Sequence, residues 1–286
     1  MNQQRLLPRL LISSITIVLG VTIGLPALLY FAQEQLIFFR PPAPNAPPRE
    51  ATLEINEVHI KTNDGLSLRG WLARPASATS PRLPLAIYFG GNAEEVSYMA
   101  GLASRFPGWS LLAVNYRGYG GNEGMPSERT LFSDALTVYD WAAQRLDVSP
   151  PHIAAIGRSL GGGVAVYLAT ERPLASIVLV TPFDSLRAVA KRHYPLLPVS
   201  LLLKHPFNSI ELAPQISVPM LILAAQKDNI IPPEHARTLF AGWSGPKTWY
   251  EIAGAGHNNL DSDPAYWTKI AAHLSNSIQG VLPAHP

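Results

Sequence analysis

The sequence predicts an α/β domain on a mostly parallel sheet with helices on both faces, carrying a small cap insertion and preceded by a transmembrane helix. Three observations predict it. From residue 53 onward, short apolar runs alternate with helical stretches, the pattern of a parallel sheet covered on both faces. One of these runs ends in the sharp turn Gly157-Arg158-Ser159-Leu160-Gly161, which opens a helix. Residues 10–32 contain no charged side chain.

That first stretch, LLISSITIVLGVTIGLPALLYFA, exceeds the ~20 residues a helix needs to cross a bilayer. Arg5 and Arg9 precede it and Glu34 follows, so residues 1–9 are expected in the cytoplasm and the rest of the chain on the opposite side. Tyr30, Phe31, Phe38 and Phe39 suit the far interface, and Pro26 is a tolerated kink. A cleaved signal peptide has a shorter apolar core and a small-residue cleavage site, and no such site is visible. A buried amphipathic helix would need a polar face. Residues 33–52 read as a spacer. Its Pro41-Pro42-Ala43-Pro44-Asn45-Ala46-Pro47-Pro48 run is stiff and extended, and would hold a domain at 53–286 off the membrane.

Within that domain, 54–61 and 66–73 alternate apolar and polar residues around Asn63-Asp64-Gly65, an antiparallel hairpin. Strands are expected at 85–89, 110–115, 153–156, 175–180, 220–225 and 248–252. Helices are expected at 94–106, 129–146, after Ser159, and at 233–241 and 263–274. Residues 184–214, rich in Pro and Leu, interrupt the alternation between two strands. They read either as a cap that shapes an apolar pocket or leans on the membrane, or as an ordinary helical excursion.

Composition narrows the chemistry. A net charge of +2 gives no basic footprint for nucleic acid. The absence of Cys removes disulfides, thiolate catalysis and S-palmitoylation. The eight His residues show no metal-ligand spacing, so neither a metal nor a cofactor is implied.

Ser159 sits where a strand reverses into a helix, flanked by glycines that leave room for the turn, and is the candidate nucleophile. A serine hydroxyl needs a base, and the base an orienting carboxylate. His257 follows the last expected strand and Asp228 the one before it, giving the chain order Ser, Asp, His of an α/β-hydrolase. Asp228 could instead cap a turn, and Asp184, Asp261 and Asp263 compete for its role. Charge developing on a carbonyl oxygen calls for two backbone N–H donors. Leu160 supplies one, and Asn92, in Phe89-Gly90-Gly91-Asn92-Ala93, the other. A plain Gly-Gly turn is the alternative for that loop.

Together these motifs resemble the α/β-hydrolase superfamily, over about residues 53–274. The nearest likeness is to single-pass, membrane-anchored serine hydrolases related to serine aminopeptidase-like and depalmitoylase-like proteins. The match rests on Gly90-Gly91-Asn92-Ala93, Asn115-Tyr116-Arg117-Gly118-Tyr119-Gly120 and Gly124-Met125-Pro126-Ser127-Glu128. It continues through Gly157-Arg158-Ser159-Leu160-Gly161-Gly162, Thr181-Pro182-Phe183, Asp228 with Pro232, and Gly256-His257-Asn258. Members often carry His where Gly90 stands, and depalmitoylases a Cys-rich N-terminus that this chain lacks. The resemblance implies a cofactor-free serine hydrolase acting on an ester or thioester of a small acyl molecule or lipid, through an acyl-enzyme. A peptidase on the same triad is the enzymatic alternative, and a non-catalytic binding protein on the same fold the other.

Overall fold

The computed structural model describes residues 13, 14, 16, 20–44 and 48–279. Eight strands form one sheet: β1 (Leu53–Lys61), β2 (Ser67–Pro75), β3 (Leu83–Phe89), β4 (Ser110–Val114), β5 (Val148–Arg158), β6 (Ser176–Val180), β7 (Met220–Ala225) and β8 (Lys247–Ile252). Their order is β1-β2-β4-β3-β5-β6-β7-β8. Pairing is antiparallel at β1–β2 and β2–β4 and parallel from β4 to β8. The hairpin and every expected strand are therefore present, with ends displaced by a few residues.

Side-chain alternation splits the interior into two layers. Leu85, Ile87 and Phe89 of β3 face one core, and Ala86 and Tyr88 the other, as a period of two requires. β4, β6 and β7 are buried along their whole length, which explains their unbroken apolar sequences. The helix expected at 129–146 runs Glu128–Ala143. Its start is set by Ser127, whose Oγ accepts from Thr130 N while Thr130 Oγ1 accepts from Ser127 N, a reciprocal cap.

Two expectations need correction. The helix expected over 94–106 shrinks to Ser97–Gly101 and a 3₁₀ turn at Ala103–Arg105. The Glu94 and Glu95 carboxylates bond loop and side-chain donors, and that holds residues 94–96 out of the helix. The second correction concerns the N-terminal segment. The helix there is Leu25–Ile37, preceded by one wide turn at Gly20–Gly24, and it runs past the expected end at Ala32. Among the described residues no helix is long and apolar enough to cross a membrane. The expected cytoplasmic residues 1–9 and the rest of the expected span (10–12, 15 and 17–19) lie outside the described residues, as do 45–47 of the spacer and 280–286 of the domain.

Nor do residues 38–41 stand off from the domain. Phe38 is buried in the core, edge-on to His205 and Phe207, instead of at a membrane interface. The Gly120 N–H bonds Pro41 O, and the Phe39 N–H bonds Asn92 Oδ1. Apolar burial of Phe38 and these backbone bonds outweigh the extended habit of the prolines that follow. The insertion at 184–214 forms three short helices, Leu186–His193, Val199–Leu202 and Ser209–Leu212. The N-terminal helix is bound to it. Gln33 Nε2 donates to Leu202 O and Gln33 Oε1 accepts from Lys204 N, at 3.0 and 2.8 Å.

Candidate active site

Ser159 lies between β5 and the helix Leu160–Glu171, with φ 51° and ψ −114°. A non-glycine residue at positive φ costs on the order of 1–3 kcal/mol and persists only where its surroundings enforce it. The enforcement is steric and hydrogen-bonded. The Ser159 N–H continues the parallel ladder to Val180 O at 2.8 Å, and the chain must then turn at once into the helix. A Cβ on Gly157 would collide with the backbone of Gly161 and Gly162, and one on Gly161 with the carbonyl oxygens of Phe89 and Gly90. Both flanking glycines are thus required by the closeness of strand, turn and helix.

The loops after β7 and β8 bring the two other expected residues to Ser159. His257 Nδ1–H donates to Asp228 Oδ2 at 2.7 Å, and Ser159 Oγ–H donates to His257 Nε2 at 3.0 Å. The tautomer follows from the carboxylate, which can only accept, so the Nδ1 proton points at Asp228 and Nε2 is left to accept from Ser159. All three side chains are buried. Asp228 also caps its turn, because Oδ1 accepts the Ile230 and Ile231 N–H groups at 2.9 and 2.8 Å. The turn-capping and triad readings of Asp228 are therefore both satisfied, one by each oxygen.

Two of the three competing carboxylates are engaged elsewhere. Asp184 bonds His235 Nδ1 at 2.8 Å and the Ser185 N–H. Asp263 caps the helix Pro264–Gln279 through the Ala265 N–H. Asp261 lines, with His257, a separate cavity of ≈ 230 Å³.

Asn92 and Leu160 line one cavity with Ser159. Among the described residues no protein acceptor takes either backbone N–H, so both amides are free to meet a ligand oxygen. The Asn92 side chain is committed. Its Oδ1 accepts from the Ala93 N–H, the Phe39 N–H and the Tyr119 hydroxyl, at 2.8–2.9 Å.

What holds this loop without a His at Gly90 is a set of residues that the sequence reading did not single out. Glu94 Oε2 accepts from the Gly91 N–H at 2.6 Å and from Arg158 Nη1 at 2.8 Å. Its Oε1 accepts from the Tyr88 and Tyr98 hydroxyls. Burial and the neighbouring Glu94 charge push both phenols above their ordinary range, which keeps them proton donors. Tyr116 adds a bond from its hydroxyl to Gly90 O at 2.9 Å. Arg158 also reaches Asn258 Oδ1, which ties the nucleophile turn to the loop that carries His257. The only sequence signal for this hub was position: Arg158 inside the turn, and Glu94 three residues past Gly91.

The cavity in front of Ser159 has a volume of ≈ 520 Å³. Leu186 and Val189 of the insertion at 184–214, with Phe183 just before it, form part of its wall. A serine nucleophile, a base oriented by a carboxylate, two free N–H groups and an apolar recess are what acyl transfer requires.

Comparison with known proteins agrees with this geometry. A serine hydrolase family model matches residues 137–276, and one for X-Pro dipeptidyl-peptidases of the S15 family matches residues 64–196. An uncharacterized protein of Mycobacterium tuberculosis (strain CDC 1551 / Oshkosh) is 38% identical over 86% of this chain and 87% of its own. An uncharacterized membrane protein of Saccharomyces cerevisiae (strain ATCC 204508 / S288c) is 32% identical over 79% of this chain and 82% of its own. An esterase of Pyrococcus furiosus shares the fold with a TM-score of 0.67 at 18% identity, over 83% of this chain and 97% of that one. The chain belongs to the α/β-hydrolase superfamily, and it is a hydrolase enzyme.

Proposed function

We propose that this protein is a membrane-tethered serine hydrolase that cleaves an ester or thioester through an acyl-enzyme. Ser159 Oγ attacks the acyl carbon as its proton passes to His257 Nε2, and the carbonyl π pair moves onto oxygen. The Asn92 and Leu160 N–H groups bind that oxyanion. As the tetrahedral intermediate collapses, the C–O or C–S bond breaks and the leaving group takes the proton from His257. A water then gives its proton to His257, attacks the acyl-enzyme and releases the acid, and Ser159 recovers the proton. Asp228 holds the imidazole tautomer throughout.

The observation that carries this reading is the unbroken hydrogen-bond chain from Asp228 through His257 to Ser159, at the edge of an apolar cavity. A fluorophosphonate probe tests it. Wild type should label and Ser159→Ala should not, and an unlabelled wild type defeats the reading.

The S15 match favours a second reading, a peptidase on the same residues. Among the described residues lining the cavity there is no carboxylate to hold a substrate ammonium, which favours the ester. Comparing a p-nitrophenyl ester with an aminoacyl-prolyl p-nitroanilide separates the two.

The tether is supported by the charge-free stretch at 10–32 and by Leu25, Leu28 and Phe31, exposed on the helix Leu25–Ile37. It is also supported by the likeness to a yeast protein described as a membrane protein. In this proposal, residues 1–9 are cytoplasmic and the catalytic domain lies on the other side. Full-length protein should stay with the membrane pellet through a carbonate wash, and release into the supernatant would remove the tether from the proposal.

A further inference from the structure

We infer that the helix Leu25–Ile37 is a wall of the acyl site and that Leu29 limits the length of chain the site accepts. The inference rests on the ester-hydrolase reading above and names its substrate class: an ester or thioester with an unbranched apolar acyl chain.

The cavity touches Ser159, Leu160 and Asn92 at its reactive end, and the N-terminal helix contributes Leu29, Gln33, Leu36 and Ile37 to it. That spacing returns to one helix face, so the helix lies along the cavity instead of crossing its mouth. Its direction is fixed. Ile37 is two residues from Phe39, whose N–H bonds Asn92, so the C-terminal end of the helix sits at the oxyanion loop. Leu29 lies two turns back, roughly 12 Å along the axis. A chain whose carbonyl is held at Ser159 therefore runs back along the helix toward Leu29.

The chemistry of the wall selects the occupant. Gln33, the one polar side chain on that face, is spent on Tyr30 O, Leu202 O and the Lys204 N–H, so it fastens the wall to the insertion and offers nothing to a ligand. On the facing side the insertion presents Leu186, Val189, Leu197 and Val199. A recess walled mainly by apolar side chains takes up methylenes.

The test uses full-length protein in detergent and p-nitrophenyl esters from acetate to palmitate. For the wild type, kcat/KM should rise about fourfold per added methylene up to an optimum and then fall. Leu29→Trp should move the optimum to shorter chains, and Leu29→Ala to longer ones. Misfolding lowers all esters together and cannot produce opposite shifts. If Ser159 labels with fluorophosphonate while both variants keep the wild-type optimum, the helix is not the wall. If the wild type neither labels nor cleaves any ester, the hydrolase reading fails and takes this inference with it.

Discussion

The two sides of Ser159 are built by different means. On one side, Asp228 and His257 follow adjacent parallel strands, β7 and β8, and meet through hydrogen bonds of 2.7 and 3.0 Å. On the other, the cavity is walled by the helix Leu25–Ile37 and short helices of 184–214, elements outside the sheet that are joined by apolar contacts and the Gln33 bonds. The contrast separates two tasks. Adjacent strand ends hold the three side chains within hydrogen-bond distance of one another, the close placement that the proposed acyl transfer demands. The substrate wall can change its side chains without moving a ladder residue, and so can change what is cleaved while keeping how.

The chemical side should break most sharply. Ser159→Ala or His257→Ala should each lower kcat/KM by about 10⁴-fold or more, and the double variant should be no worse than either single one, because the groups act as a unit. Additive losses would show that they do not form one machine. Ser159→Gly should be as inactive, yet more stable than wild type in urea melts by about 1 kcal/mol, since glycine relieves the positive φ.

Next in size is the carboxylate. Asp228→Asn should keep its turn bonds through the side-chain oxygen but lose the tautomer control of His257, which costs roughly 10³–10⁴-fold in kcat. Asp184→Asn, which faces His235, should stay within a few-fold of wild type. The reverse ranking would transfer the acid role to Asp184.

The brace of the oxyanion loop lies between the two sides and should have an intermediate effect. Glu94→Ala removes the acceptor of four donors, those of Gly91, Arg158, Tyr88 and Tyr98. We expect kcat to fall about 10–100-fold with KM little changed, because a displaced N–H is felt in the transition state more than in binding. An equal change in KM would place Glu94 in substrate binding.

The same division decides what could be read in the sequence. Parallel strands announce themselves as apolar runs, and the residues that end them inherit a fixed place, so the meeting of Ser159, Asp228 and His257, and the nearness of Asn92 and Leu160 to them, were legible in the sequence. Glu94 was not. Its partners come from β3, from the end of β5, from its own loop and from the short helix Ser97–Gly101, and no local pattern links them. Nor was the docking of the N-terminal segment legible. Phe38 reads equally well as an interfacial or a core aromatic, and only contact with His205 and Phe207 decides it. Gln33 reads as the first residue of a spacer until Leu202 O and the Lys204 N–H are found opposite.

The smallest effect expected probes how the substrate wall is held. His205 lies under the N-terminal helix, edge-on to Phe38, with Glu34 and Lys204 as its charged neighbours. Its Nδ1 accepts the Glu128 N–H at 3.3 Å, a bond only the neutral ring can make. Burial pushes its pKa below the ordinary value near 6.5, against the pull of Glu34. The unfolded chain therefore binds this proton more readily than the folded one. The contribution of His205 to stability is complete above the unfolded value and is lost as pH falls through it toward the folded one. Between about pH 7.5 and about pH 5.5, the thermal midpoint of His205→Gln should fall less steeply than that of wild type, since glutamine can accept the same N–H and never charges. Identical slopes would mean that the seat of the N-terminal helix does not feel this proton.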